Sequence, residues 1–240
     1  MACKFSIICC YTNKELMHEM LVSSLEKQTF KDYEFLPINN KELGFVSASE
    51  TLNYASNNAI GEILVYAHQD LSLVDEDFLK KLCAFCDEYE FGVAGVAGVV
   101  GKEKQVFSSV TMDIDYRIAG KQLNEVKEVD ALDECLFIIK KDNFMKFDNL
   151  GDTWHFYAVE YSIRCKLANK KVLLFPLSVY HLSPGWSLND NYWKTLKLLA
   201  KKYRSTHKKI YTCMGSFRTD ILLPFEIILR KIKRKLFRKR

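Results

Sequence analysis

Apolar runs of strand length alternate with amphipathic stretches over the first seventy residues. The unbroken apolar run Ile63–Ala67 is typical of a strand buried on both faces of a parallel sheet, and a capping box, Ser47 to Glu50, opens a helical stretch before it. The predicted elements are strand 4–10, helix 13–28, strand 33–40, helix 47–62 and strand 63–67. This order predicts a Rossmann-like α/β fold with a mostly parallel central sheet flanked by helices.

Three polar residues, His68, Gln69 and Asp70, directly follow the buried run. Ligands of parallel sheets bind beyond the carboxyl ends of the strands. Asp70 therefore lies where a carboxylate can hold a divalent cation against a phosphate. It could equally cap the following turn, because Asp is common in turns. The segment alone does not separate these two interpretations.

Two segments in the middle of the chain allow a functional and a structural interpretation. Glycine recurs at three-residue spacing in residues 91–101, but no Lys-Ser/Thr pair follows, so a small-residue strand packed on a helix is favoured over a phosphate loop. Asp130 and Asp133 precede the apolar strand 135–139. Taken alone, these two residues are interpreted as solvated loop residues.

Residues 151–172 predict a helix capped by Asp152 or Thr153, followed by a turn and a strand. Trp154 belongs to the apolar stripe of this helix, whereas Glu160 lies off the stripe and could be a plain surface residue.

Farther along the chain, His181 ends another apolar strand, and a loop that contains Trp186 follows. A histidine at a strand end is often just a polar edge residue. Residues 189–212 are predicted to be helical and could pack on the core or on a second subunit, which leaves a homo-oligomer open.

Composition excludes several classes of protein. At 240 residues with 48% apolar residues, the chain fits one domain with a sizeable core and an appendage. No apolar run is long enough for a transmembrane helix, and the N-terminus lacks the features of a signal peptide. Most of the eight cysteines lie in apolar elements and are predicted to be buried thiols. Cys83 and Cys86 form a lone CxxC, which is a weak zinc signal.

Charge divides the chain. Residues 201–240 contain 14 Lys/Arg and 2 Asp/Glu, whereas the rest contains 21 basic and 28 acidic residues. We therefore predict a catalytic domain over 1–200 and a basic C-terminal helical extension over 201–240. Phe225, Ile228, Leu229, Ile232 and Leu236 fall on one face of an amphipathic helix, which predicts binding to an anionic membrane surface. A solvated tail is the alternative, and nucleic-acid binding is disfavoured because the body is acidic.

The order of the segments FSIICCYTN, SSLEKQ and LNYASNNAIGEILVYAHQD resembles that of family 2-type glycosyltransferases with a GT-A fold. The resemblance covers roughly residues 4–185. In that family a strand ends in an Asp-x-Asp-like motif that binds a metal ion and a nucleotide-sugar. His68-Gln69-Asp70 resembles the variant of one subgroup, in which His replaces the first Asp and Asp70 is the retained metal ligand.

The resemblance also implies roles for individual residues. It implies Glu160 as the catalytic base, Asp70 and His181 as ligands of Mn²⁺ or Mg²⁺, and Asp130, Asp133 and Trp186 near the sugar or acceptor. The residues implied for nucleotide-sugar binding are Tyr11, Thr12, Asn40, Asn53, His68 and Asp70. The family often has Asp where Asn40 stands, Glu134 replaces a family Gly, and the acid that usually precedes the base is missing at Val159.

The resulting hypothesis is an inverting, metal-dependent transfer of a sugar from a nucleotide-diphosphate donor to an acceptor hydroxyl. The acceptor would be a glycan or a lipid-linked molecule of cell-envelope polysaccharide synthesis, and the enzyme would be a peripheral protein at the cytoplasmic face of the cell membrane. A nucleotidyltransferase is a weaker interpretation, because residues 9–16 contain no Gly and one Lys. A non-catalytic sugar- or nucleotide-binding module of the same fold, held at the membrane, is the main alternative.

Overall fold

Seven strands form the central sheet of the protein, in the order β10-β13-β5-β12-β3-β1-β2. The structure is a computed structural model that describes residues 4–112, 116–182 and 188–237. Its strands are β1 (Phe5–Tyr11), β2 (Tyr33–Asn39), β3 (Ile63–Ala67), β4 (Leu71–Leu73), β5 (Val93–Gly95), β6 (Ala97–Val100), β7 (Gln105–Ser108), β8 (Val110–Met112), β9 (Lys121–Gln122), β10 (Lys127–Glu128), β11 (Ala131–Leu132), β12 (Leu136–Lys140), β13 (Val172–Leu174), β14 (Val179–His181), β15 (Lys209–Thr212) and β16 (Gly215–Arg218).

The helices cover both faces of that sheet. They are α1 (Lys14–Met17), α2 (Ser23–Glu26), α3 (Ala48–Asn58), α4 (Phe78–Glu88), α5 (Tyr157–Leu167), α6 (Asp190–Tyr203) and α7 (Leu223–Phe237). A π-helical turn, His18–Val22, joins α1 to α2. Together these elements form the helix predicted over 13–28.

The central sheet is mixed and mostly parallel. Strands β1, β2 and β3 pair in parallel, β12 runs antiparallel to both β3 and β5, and β13 is parallel to β5. The predicted α/β fold with a mostly parallel sheet and flanking helices is therefore confirmed. Pro37 lies in β2 at the edge of the sheet, where its missing N–H removes no ladder hydrogen bond.

The two-sided burial of the sheet follows from its continuous apolar strands. Ile7 and Val65 face one apolar cluster, which α2 and α4 complete with residues such as Leu25. Ile8 and Leu64, their neighbours in sequence, face a second cluster that contains side chains of α3 and α5. Because successive side chains of a strand point to opposite faces, every position of β3 is buried.

Smaller sheets extend the central one. A four-stranded sheet has the order β11-β6-β7-β9, a three-stranded sheet has the order β4-β14-β8, and β15 and β16 form a hairpin. The glycine-rich stretch divides between β5 and β6, which belong to different sheets. A Cβ on Gly92 would lie 2.7 Å from the Cys165 Sγ of α5, so this stretch is packed closely, as predicted.

Helices α6 and α7 pack with the hairpin over a third apolar cluster, which includes Leu196, Phe217 and Ile227. Two sequence predictions need correction here. Residues 189–212 are not one helix, because β15 begins at Lys209. Helix α5 begins at Tyr157 rather than at Asp152 or Thr153, and its N-cap residue, Phe156, has a φ of 68° and makes no side-chain cap hydrogen bond.

Candidate active site

A cavity of about 490 Å³ opens at the carboxyl edge of the central sheet. Thr12 follows β1, Asn40 follows β2 and His68 follows β3, so three parallel strands deliver polar side chains to one place. Its other polar lining residues include Gln69, Asp70, Asp133, Glu134, His155, Tyr157, His181 and Tyr192. The cavity lies where ligands of α/β sheets bind.

Asp70 and two histidines form a cluster in the wall of this cavity. The His181 Nε2 lies 3.2 Å from the Asp70 Oδ1 and 3.4 Å from the His68 Nδ1. β14 pairs with β4 in a register that sets His181 opposite Leu71, next to Asp70. One ligand atom from each of the three residues lies within 4.8 Å of the others. Among the described residues, this is the group of His, Cys, Asp and Glu side chains arranged to hold a metal ion.

The electrostatics of the cluster favour a neutral His68 beside an ionised Asp70. Burial, and then the neighbouring His181, lower the pKa of His68 to about 4, against the opposing effect of Asp70. Burial raises the pKa of Asp70, but the hydrogen bond and charge of His181, together with His68, outweigh burial and lower that pKa below its usual value. A neutral imidazole and a carboxylate are the protonation states that bind metal ions.

Gln69 connects two strand ends. Its Oε1 accepts hydrogen bonds from the backbone N–H groups of Thr12, at 2.9 Å, and Asn13, at 3.0 Å. These groups belong to the turn between β1 and α1, so the residue between His68 and Asp70 fixes this turn against the end of β3.

Glu134 belongs to the segment between β11 and β12, and its side chain contacts the start of α5. Burial, and then the charge of Asp133, raise the pKa of Glu134 well above its usual value, while the backbone N–H groups of Phe156, Tyr157 and Ala158 oppose that increase by hydrogen bonding. Glu134 therefore satisfies N–H groups at the helix start that an N-cap side chain would otherwise bind. This contact explains why α5 begins at Tyr157.

Of the residues predicted to bind the nucleotide-sugar, some line the cavity and others do not. Thr12, Asn40, His68 and Asp70 line the cavity. The Asn40 Oδ1 is buried without a hydrogen-bond partner among the described residues and is available to a ligand.

Tyr11 and Asn53 are absent from the lining of this cavity. Tyr11 packs against the apolar core. Asn53 exchanges two hydrogen bonds with the backbone of Phe147, at 2.9 and 2.8 Å, which is a structural contact.

The residues predicted near the sugar or acceptor also divide. Asp133 lines the cavity. Asp130 does not, because one carboxylate oxygen accepts from the backbone N–H of Gly101 at 2.7 Å and the other binds the Lys166 Nζ at 2.6 Å. Trp186 and the adjoining residues 183–185 lie outside the described residues.

Glu160, the predicted base, lines none of the described cavities. Its side chain is 1% exposed. Its carboxylate accepts hydrogen bonds from the Lys202 Nζ at 2.6 Å, the Tyr203 hydroxyl at 2.6 Å and the Arg164 Nε at 2.9 Å. These contacts tie α5 to α6, so they favour a structural role, and the catalytic role of Glu160 stays a prediction.

A second cavity, of about 900 Å³, adjoins the first. Four of the described residues line both: Asp133, His181, Leu188 and Met214. Asp133 is the carboxylate among these four. It thus lies at the boundary between the two cavities.

A model of the family described as "Glycosyltransferase like family" matches residues 6–212. The chain belongs to that family. The prediction of a glycosyltransferase is thus confirmed at the level of the family. No curated protein matches the chain by sequence.

Solved structures of this fold include TarS from S. aureus. TarS 1-349 in complex with UDP has a TM-score of 0.53, and the match covers 82% of this chain and 64% of that chain at 16% identity. The complex with UDP-GlcNAc has a TM-score of 0.54, with 82% and 65% covered at 16% identity. The longer TarS structure has a TM-score of 0.55, with 83% and 39% covered at 16% identity. The chain therefore spans less than two thirds of these relatives, and the likeness shows the fold.

Several residues of this glycosyltransferase-family site escaped the sequence analysis. Trp154, His155 and Tyr157 line the first cavity because the chain between Thr153 and α5 is irregular and faces it. A helix drawn from residue 152 instead puts Trp154 on an apolar stripe. Glu134 stands where the family has Gly, and an acidic residue directly before an apolar strand is the sequence signal that could have identified it as a residue of the site.

Helix α7 turns its apolar stripe outward. Phe225, Ile228, Leu229, Ile232 and Leu236 are between 49% and 66% exposed. Two of its basic side chains contact the body instead, since the Lys231 Nζ binds the Asp190 carboxylate and the Arg230 guanidinium lies 4.4 Å from the centre of the Phe217 ring. Within the described parts of the chain, no helix has the length and apolar character needed to cross a membrane.

Proposed function

We propose that the protein transfers a sugar from a UDP-sugar to an acceptor hydroxyl. The observation that carries this proposal is the cavity at the carboxyl edge of the sheet, with His68, Asp70 and His181 in its wall, in a chain of the glycosyltransferase-like family. The choice of UDP draws on the TarS structures of the same fold, which were solved with UDP and with UDP-GlcNAc.

His68-Gln69-Asp70 is proposed as a variant of the Asp-x-Asp motif, with Asp70 and His181 holding a divalent cation and His68 available as a third ligand. Two imidazole nitrogens and one carboxylate oxygen suit Mn²⁺ better than Mg²⁺, which prefers an all-oxygen shell. A bound cation would neutralise charge on the departing diphosphate. Thr12 and Asn40, at the ends of β1 and β2, are proposed to contact the nucleoside.

Asp133 is proposed as the general base in place of Glu160. A base must reach the acceptor hydroxyl while that hydroxyl attacks the sugar, and Asp133 lines both cavities. Attack from the side opposite the diphosphate would invert the configuration at the anomeric carbon. Glu160 is buried in ion pairs away from both cavities and would have to break them to act.

The exposed apolar face of α7 supports the proposal that the protein lies at a membrane surface. Apolar side chains that line one face of a helix and meet solvent are suited to the interfacial region of a bilayer. We accordingly retain the peripheral cytoplasmic location, the cell-envelope glycan or lipid-linked acceptor, and the division into a domain over 1–200 and a basic extension. Helix α6 crosses residue 200, so a truncation at that point would cut an ordered element.

Calorimetric binding of UDP, with and without Mn²⁺, tests the donor site. We expect saturable binding that requires Mn²⁺ and that Asp70→Asn weakens at least tenfold, since a ligand of the cation is lost. Asp142→Asn replaces an exposed aspartate outside the cavity and should bind as the unmodified protein does. Equal UDP affinity with and without Mn²⁺, or in folded Asp70→Asn, would overturn the metal assignment.

Slow hydrolysis of UDP-GlcNAc tests the assignment of the base. In Asp133→Asn we expect hydrolysis to fall by about 10²-fold or more while UDP affinity is kept, because general-base catalysis contributes on that order. Equal hydrolysis rates in Asp133→Asn and the unmodified protein would exclude Asp133 as the base. Mn²⁺-dependent UDP binding without any hydrolysis or transfer would favour the non-catalytic module.

A further inference from the structure

The second cavity combines apolar walls with a basic rim. Among the described residues, its walls include Val110, Met112, Ile118, Trp193 and Phe217. Four cationic side chains also line it: Arg117, Arg230, Lys233 and Arg234. Asp133 is the one carboxylate among its described lining residues. This composition differs from that of the first cavity, whose described lining includes no Lys or Arg.

The cations come from two separate segments of the chain, and one of them is held in place by neighbouring groups. Arg117 lies in the connection between β8 and β9, whereas Arg230 and Lys233 project from α7. The Arg230 Nη2 donates to the Ser216 carbonyl at 2.7 Å and pairs with Glu226 at 2.8 Å, which fixes the guanidinium beside the cavity. Arg117 and Lys233 form no side-chain hydrogen bond or ion pair with another described residue, so their charge is available to a ligand.

The charge of this cavity predicts the charge of its occupant. Glu226 compensates Arg230, whereas Arg117 and Lys233 have no ion-pair partner among the described residues, so their charge favours an anionic ligand. Guanidinium and ammonium groups are the side chains that bind phosphate. An apolar wall beside those cations fits a molecule with an apolar portion. The cavity meets the first one at Asp133 and His181, where an acceptor would have to approach a sugar donor.

We propose that this cavity is the acceptor site and that the acceptor is an amphiphile with a phosphate group next to an apolar chain. Its phosphate binds Arg117, Arg230 and Lys233, its apolar chain lies against the cavity wall, and its reacting hydroxyl faces Asp133. This inference rests on the proposed transferase function, which supplies the second substrate, and adds the chemical class of that substrate.

Calorimetry with dodecyl phosphate below its micellar concentration tests the proposal. We expect saturable binding that is weakened roughly tenfold by Lys233→Glu and roughly a hundredfold by Arg117→Glu with Lys233→Glu, since each charged contact to phosphate contributes about one order of magnitude. Lys235→Glu on α7 changes a residue outside the cavity lining and should leave binding unchanged. Leu236→Ser tests adsorption to the exposed face of α7 and should also have no effect.

Two further probes separate the parts of the proposal. Glycerol phosphate carries the phosphate without the chain, and dodecyl maltoside carries the chain without the charge, so we expect both to bind at least tenfold more weakly. Equal binding of either probe, an unchanged affinity in the double variant, or an equal loss in Leu236→Ser would overturn the proposal. Mn²⁺-dependent UDP binding, measured in the same variants, should not change, so failure of the donor site and failure of this site are distinguishable.

Discussion

Glu160 offers the sharpest test of whether an acidic residue serves catalysis or structure. Its carboxylate is buried between α5 and α6 and accepts from Arg164, Lys202 and Tyr203. Asp148 adds to the network, since it pairs with Lys202 and its Oδ1 lies 3.9 Å from the Arg164 Nη1. Glu160→Gln keeps the shape of the side chain and removes its charge. We therefore expect this substitution to lower the free energy of unfolding, because it weakens the contact between α5 and α6, and to leave most of the catalytic activity.

The expected loss follows from the burial of the pair. Removing one partner of a buried ion pair typically costs about 3–5 kcal/mol, because the other charge is left uncompensated. The loss here should lie near 3 kcal/mol, since the Lys202 side chain is 34% exposed and Asp148 still compensates both cations. For a chain of this length, that loss corresponds to a fall in melting temperature of about 6–12 °C. Tyr203→Phe removes one donor to this buried carboxylate and should cost about 2 kcal/mol.

Urea unfolding followed by circular dichroism measures these losses, and UDP-GlcNAc hydrolysis at a temperature where each variant is folded measures activity. Glu19→Gln, on the exposed surface, is the control and should unfold like the unmodified protein. We expect Glu160→Gln to unfold at lower urea and to retain most hydrolysis. An unchanged urea midpoint together with lost hydrolysis would refute the structural interpretation and restore Glu160 as the base.

Two further predictions concern packing and pH. Gly61→Ala should destabilise the protein by about 1–3 kcal/mol in urea unfolding, because its Cβ would lie 2.5 Å from the Phe5 carbonyl carbon. A Cβ at Gly44 would meet nothing within 4 Å, so Gly44→Ala should cost only about 1 kcal/mol, for its left-handed φ. In metal-free protein, the free energy of unfolding should fall as pH drops from 6.5 to about 4, because the unfolded chain binds a proton on His68 at higher pH than the folded protein does. Equal pH dependence in His68→Gln would contradict that assignment.

Local patterns predicted the part of the fold that depends on sequence neighbours. The apolar run Ile63–Ala67 specifies a buried strand because nothing in it can face water, and its end fixes the position of His68 and Asp70. The capping box of α3 is likewise local: the Ser47 Oγ accepts from the Glu50 backbone N–H, and the Glu50 Oε2 accepts from the N–H of Val46. These contacts form within four residues and can be read from the sequence.

Contacts between segments that are distant in the sequence cannot be predicted from such local patterns. The partners of Glu160 on α6 lie 42 and 43 residues away, so no spacing rule distinguishes a buried ion pair from a catalytic acid. Glu134 binds the first N–H groups of α5 from more than twenty residues earlier in the chain and overrides the local capping signals of Asp152 and Thr153. The position of Asp133 between two cavities depends on where α7 packs, and the pattern of α7 specifies its apolar face but not its neighbours.

Gln69 gives a physical reason to expect a cation in the donor site. The first N–H groups of a helix lack intrahelical partners and are a common place for a phosphate to bind. Next to α1, however, the N–H groups of Thr12 and Asn13, which directly precede the helix, donate to the Gln69 Oε1, and within the first turn the N–H of Leu16 donates to the Asn13 Oδ1. A diphosphate would find these three donors already occupied, and the described lining of the first cavity includes no Lys or Arg. Compensation of the diphosphate charge is then left to the proposed cation at Asp70 and His181, which is why we expect UDP to bind weakly without Mn²⁺.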